Sequence, residues 1–309
     1  MLGVLGIVAP IFGIVALGYA ARRAGWATEE GLRGLNDFVF LLATPALLFH
    51  AGATQGLGGA GAASLAFFSA VLLVYGAATL VGLRARAMPL PEAGLFALSC
   101  TFGNTVMVGI PLVLAAYGPG ALGTLLGIVA MHSLVLLPVA TAVAETGLAG
   151  RAPPWRVAGA TLRAVARNPV ILSVALGLAW WLLVPVAPPL PLRRFLEMLG
   201  AAGPPAALFC LGASLTGFDA RRDWPDAALA SALKLLALPA LVWGMARLWG
   251  LGAAETAVVV TTAALPTGAN AFILARRYAT GADRSGATVL VSTVASVATL
   301  GAAVAWFRG

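Results

Sequence analysis

Two short stretches set polar and helix-breaking residues inside otherwise apolar runs: FGNTVMVGIP at 102–111 and LPTGAN at 265–270. The first holds Gly103, Asn104, Thr105, Gly109 and Pro111; the second holds Pro266, Thr267, Gly268 and Asn270. Proline removes a backbone donor and clashes with the preceding turn, while glycine tolerates unwound backbone. Where a helix breaks and restarts, the new N-terminus presents free N–H groups and a positive dipole end. Two such ends, with Asn and Thr side chains beside them, make a binding site for an anion such as a carboxylate. The plainer reading is a pair of kinked packing helices.

Ionisable groups within apolar runs are the other candidates, since such residues usually mark pathways or relays. His50 is read as lining the site or tuning its protonation. Lys234 is read either as an ion or proton residue or as a side chain reaching back to the membrane interface. Asp37 is read as a support residue or a helix cap, and His132 as a hydrogen-bonded packing residue. Cys100 and Cys210 lie in apolar segments and read as buried thiols. No HExxH, P-loop or dinucleotide-binding fingerprint occurs, so neither enzyme chemistry nor a cofactor or metal is expected.

The elements that must position these residues are membrane spans. Of 309 residues, 61% are hydrophobic and 10% charged, against about 25% charged in an ordinary soluble domain. Apolar runs long enough to cross a bilayer, about 20 residues, fall at 3–21, 35–53, 61–83, 92–114, 119–143, 168–186, 194–217, 227–249, 252–275 and 285–307. The first run has no Arg or Lys before it and Arg22 and Arg23 after it, the reverse of a cleaved signal peptide. It is expected to be retained, with both chain termini outside the plasma (inner) membrane.

Charge supports that layout. Arg22, Arg23, Arg33, Arg84, Arg86, Arg151, Arg156, Arg163, Arg167, Arg221, Arg222, Arg276, Arg277 and Arg284 fall on the inner side, against Arg193, Arg194, Arg247 and Arg308 on the outer. The net charge of +8 therefore reflects topology and not a nucleic-acid surface. Trp26, Trp224, Trp249 and Trp306 sit at span ends, where amphipathic rings favour the headgroups. The linker 145–167 carries Arg156, Arg163 and Arg167 on one helical face and Trp155, Leu162 and Val165 on another. It reads as an amphipathic cytoplasmic helix or a basic topology-setting linker. It separates a first unit, 1–144, from a second, 168–309.

Those units match when offset by about 160 residues. VAPIFGIVALGY at 8–19 aligns with RNPVILSVALGL at 167–178, and LRGLNDFVFLLATPALLFHAGA at 32–53 with LRRFLEMLGAAGPPAALFCLGA at 192–213. Pro45 then faces Pro205, Phe49 faces Phe209, Gly52 faces Gly212 and Tyr117 faces Tyr278. With five spans per half, the second copy enters the membrane inverted, the arrangement of many secondary transporters. The expected fold is thus an all-α membrane protein of ten transmembrane helices in two inverted five-helix repeats. Its broken fourth and ninth helices cross near the midplane. A carrier that alternates access is the favoured function, and a channel-like or receptor protein on the same fold is the alternative.

NDFVFLLATPALLFH, GNTVMVGIPLVLAAYG, NPVILSVALGL and ALPTGANAFILARRY resemble the auxin efflux carrier family, which includes bacterial malonate and malate permeases and plant PIN-type carriers. The likeness covers nearly the whole chain. It implies small organic anions, carboxylates, held near the crossover, with Asn104, Pro111 and Pro266 in the crossover roles, and it implies a homodimer. His50 stands in the family's Phe-His pair. The long cytoplasmic domain of many plant members has no counterpart in this sequence. Whether H+ or Na+ is coupled, and which acid is carried, stays open.

Overall fold

The computed structural model describes residues 2–55, 60–147, 159, 166–184, 186–219, 221 and 223–308. Regular structure among them is helical, apart from one isolated antiparallel bridge between Gly103 and Thr267. Residues 148–158 and 160–165, which hold most of the expected amphipathic linker, lie outside the described residues.

Helix α1 (Leu2–Arg23) turns at Gly25, whose φ of 77° suits a residue without Cβ, into α2 (Glu29–Phe38). The Thr28 side chain accepts the Gly31 N–H at 3.1 Å, and Glu29 and Glu30 fill the first turn. These residues cap the helix and complement its dipole, so it starts ahead of the expected 35. Asp37 is therefore an exposed residue near the helix end, not its cap. A π-turn, Val39–Ala43, leads on into α3 (Thr44–Gln55).

Helix α4 (Ala60–Ala85) is followed by the first broken span: α5 (Leu90–Thr101), an extended stretch, a π-turn at Thr105–Gly109 and α6 (Ile110–Tyr117). Gly118 ends α6 at φ 79°, and α7 (Leu122–Gly147) follows. Helix α8 (Pro169–Leu183) starts on Asn168, whose Oδ1 accepts the Val170 N–H at 2.9 Å, and α9 (Leu190–Ser214) comes next. Then α10 (Trp224–Ala232) passes through a π-turn, Leu233–Ala237, into α11 (Leu238–Leu248). The second broken span is α12 (Ala253–Ala263) with α13 (Ala269–Arg277), and α14 (Ala282–Arg308) closes the order.

Among the described residues six helical stretches are long and apolar enough to cross a membrane: Gly6–Arg23, Glu29–Thr54, Gly61–Ala85, Leu190–Gly217, Trp224–Leu248 and Ala282–Arg308. Trp26, Trp224, Trp249 and Trp306 are exposed at helix ends, as interfacial anchors would be.

Glycines bring two helix pairs into backbone contact. Gly18 of α1 lies against the Phe209 carbonyl of α9, and Gly212 of α9 lies against the Val15 carbonyl of α1. On the other side, a Cβ on Gly177 of α8 would stand 2.6 Å from the Phe49 carbonyl oxygen of α3, with Gly52 alongside. Small residues at such seams let helix backbones meet where lipid gives no hydrophobic drive to association. A separate core joins α4, α5, α7 and α10 to α13, with Phe67, Leu98, Ile128, Leu238 and Val259 all buried within it. Helix α5 and both halves of the second broken span belong to this core, whereas α6 packs with α1 and α9 on one side and with α3, α7 and α8 on the other.

Candidate functional site

The two breaks meet. The Asn104 N–H donates to the Pro266 carbonyl at 2.8 Å, and the Gly268 N–H donates to the Phe102 carbonyl at 2.8 Å. Each unwound strand thus satisfies backbone groups of the other, as buried polar backbone requires. Gly268 has to be small for this approach: a Cβ there would lie 3.0 Å from the Phe102 ring and 3.1 Å from the Gly103 carbonyl oxygen.

Side chains fix the crossing from behind. The Thr267 hydroxyl donates to the Ser99 carbonyl at 2.8 Å, and the Thr267 N–H donates to the Ser292 hydroxyl at 3.0 Å. The Gly103 N–H donates to His132 Nε2 at 3.0 Å. That nitrogen must be unprotonated to accept, so the ring carries its proton on Nδ1. The His132 ring is held among Phe67, Phe68 and Phe102. Asn104 caps the restarted helix, its Oδ1 accepting the Met107 N–H at 3.2 Å.

In front of the crossing lies a cavity of about 360 Å³. Gly103, Asn104, Thr105, Gly268 and Asn270 line it from the broken spans, and His132 and Asn168 add polar atoms. Phe40 and Leu41, on the π-turn of the second span, form part of its apolar wall. None of its lining residues is charged at neutral His132. The first turns after Asn104 and after Gly268 both open on this space. Asn104 is 6% exposed, and its Nδ2 has no partner among the described residues.

The remaining candidates are placed elsewhere. Thr267 is fully buried and its hydroxyl is already used, so it braces the crossing and does not line the cavity. Pro266 contributes its carbonyl to that brace. Gly109 packs on Leu265, and Pro111 is buried in the first turn of α6. His50 sits away from the cavity, its Nε2 3.4 Å from Glu197 Oε1 on α9. Lys234 does not reach back to the interface: it is 0% exposed and donates to the Ala263 carbonyl at 2.5 Å. The π-turn at Leu233–Ala237 carries it inward. His132 and Asn168 went unrecognised as site residues. A histidine in an apolar run and an Asn-Pro helix start were their only local signals.

The membrane transport protein family matches residues 4–302, almost the whole chain. The chain belongs to this family. The likeness to auxin efflux carriers drawn from its motifs leads to the same place. A Rhizobium meliloti protein named "Putative malonate transporter" is 30% identical over 306 residues, covering 97% of this chain and 94% of that protein. A Mus musculus protein, "Lysosomal cholesterol signaling protein", is 28% identical over 263 residues; these are 78% of this chain but 29% of that longer protein. As a member of the family, the chain is an integral membrane transporter acting on a small molecule.

Proposed function

We propose that this transporter is a secondary carrier of small organic anions, carboxylates, bound in the cavity in front of the crossing. The observation that carries this reading is the pairing of two helix restarts, after Asn104 and after Gly268, on one largely apolar, uncharged cavity with a few polar groups converging on it. Helix N-termini offer N–H groups and positive dipole ends to an anion, and Asn104, Thr105, Asn168 and Asn270 add neutral hydrogen-bonding groups. The name of the Rhizobium meliloti relative agrees with a dicarboxylate.

The chain is read as ten spans in two inverted halves, with both termini outside and the linker 145–167 cytoplasmic. In support, the approach of Gly18 to Phe209 and that of Gly177 to Phe49 exchange under the same offset of about 160 residues that aligns the halves in sequence. Transport then proceeds by alternating access. The core of α4, α5, α7 and α10 to α13 moves against the glycine-seamed group of α1, α3, α8 and α9, the rocking expected of repeat-built carriers.

A melting series on purified protein with a panel of mono- and dicarboxylates tests the assigned ligand class. A carboxylate that binds the folded form raises the melting temperature in proportion to its occupancy. Stabilisation by at least one short dicarboxylate is expected, and is expected to vanish in Asn104→Asp. Stabilisation by sterols alone, with none by any acid, would favour the signalling reading suggested by the name of the mouse relative.

A further inference from the structure

Helix α12 ends at Ala263, just short of the crossing. A helix C-terminus carries partial negative charge and unpaired carbonyls. At membrane depth such ends of broken helices coordinate coupling cations in repeat-built carriers. Here the Ala263 carbonyl already has a partner: the Nζ of Lys234, delivered from the neighbouring span.

Three features show that Lys234 is built into this place. It is completely buried, and among the described residues no carboxylate lies within 4.0 Å of its Nζ. An ammonium so placed is costly unless local dipoles compensate it, and the end of α12 is such a dipole. The π-turn Leu233–Ala237 inserts an extra residue into the span where Lys234 departs. Finally, Gly103 lets the side chain lie close behind the crossing strand: a Cβ on Gly103 would be 3.5 Å from Lys234 Nζ. Gly103 lines the cavity while Lys234 does not, so the charge stands one backbone thickness behind it.

We propose that Lys234 is the resident cation of the crossing, its ammonium occupying the place at the end of α12 that a coupling metal cation would otherwise take. Building on the carrier reading, the same charge supplies positive potential beneath a cavity whose own lining is uncharged. The chain then binds no sodium at the crossing, because the place is filled.

The test is thermal melting of the purified full chain in sodium chloride against N-methylglucamine chloride at equal ionic strength. Wild type is expected to melt at the same temperature in both. Lys234→Ala vacates the place; it is expected to melt lower and to regain several degrees in sodium but not in N-methylglucamine. Lys234→Arg keeps the charge and is expected to stay insensitive to sodium. If Lys234→Ala yields no folded protein, Lys234→Gln, which keeps a donor for the Ala263 carbonyl, carries the same comparison. A sodium-specific rise in wild type overturns the proposal, as does a folded neutral variant that neither loses stability nor gains a sodium response. Carboxylate transport is not read in this series, so failure of the carrier reading would leave its result standing.

Discussion

Asn104→Asp is expected to lower carboxylate uptake by about 100-fold while leaving the protein folded. Asn104 does three things at once. Its N–H pairs with the Pro266 carbonyl, its Oδ1 caps the restarted helix through the Met107 N–H, and its buried Nδ2 has no partner among the described residues. Aspartate keeps the backbone pairing and is as good a cap. It removes the donor and puts a negative charge beside a bound anion. Loss of a hydrogen bond to a charged group costs about 1.5–3 kcal/mol, and like-charge juxtaposition adds to that. Together these reach or exceed the ~2.8 kcal/mol that corresponds to 100-fold. Asn104→Ala is the milder change for transport but also loses the cap, about 1 kcal/mol of stability. Initial uptake rates in proteoliposomes, normalised to folded protein by gel filtration, check both. An Asp variant that transports like wild type would remove Asn104 from the site.

The largest effect on stability is expected from Asp226→Asn. Asp226 begins α10 and pairs with Arg86 after α4 and with Arg284 of α14, the latter at 2.8 Å. Arg284 also pairs with Glu92 of α5. This cluster ties α4, α5, α10 and α14 together at one end, with the Asp226 side chain only 10% exposed. Removing the central carboxylate strands Arg86 and leaves Arg284 with Glu92 alone; with Arg86 over a third exposed, the cost is discounted below the ~3 kcal/mol of a fully buried pair, to about 2 kcal/mol. Melting of Asp226→Asn in detergent should therefore fall well below wild type. A double variant with Arg86→Met should recover part of the loss, since one stranded charge is then gone. A melting point unchanged in Asp226→Asn would show the cluster to be solvated rather than structural.

What the sequence made legible follows from local rules. The apolar runs and the two breaks are properties of short windows. Gly103, Asn104, Thr105, Gly268 and Asn270 are all placed on the cavity. Pro266 and Thr267, expected from the sequence to bind the ligand, brace the crossing, because the partners of Thr267, Ser99 and Ser292, lie on other helices. The same limit hid His132, whose acceptance of the Gly103 N–H depends on a fold-dependent encounter 29 residues away. Lys234 was read against hydropathy depth alone. The π-turn that directs it inward leaves no local sequence signature. His50 was assigned from its position in a family pair, and its neighbour is Glu197 on α9.

In the proposed function, the cavity in front of the crossing carries a carboxylate across the membrane. Counterflow in proteoliposomes tests it most directly: vesicles preloaded with unlabelled malonate are diluted into a trace of labelled malonate. Saturable, transient accumulation of label is expected in wild type, absent from empty vesicles and from Asn104→Asp. Label that merely equilibrates without saturation, or enters equally well through Asn104→Asp, would contradict it.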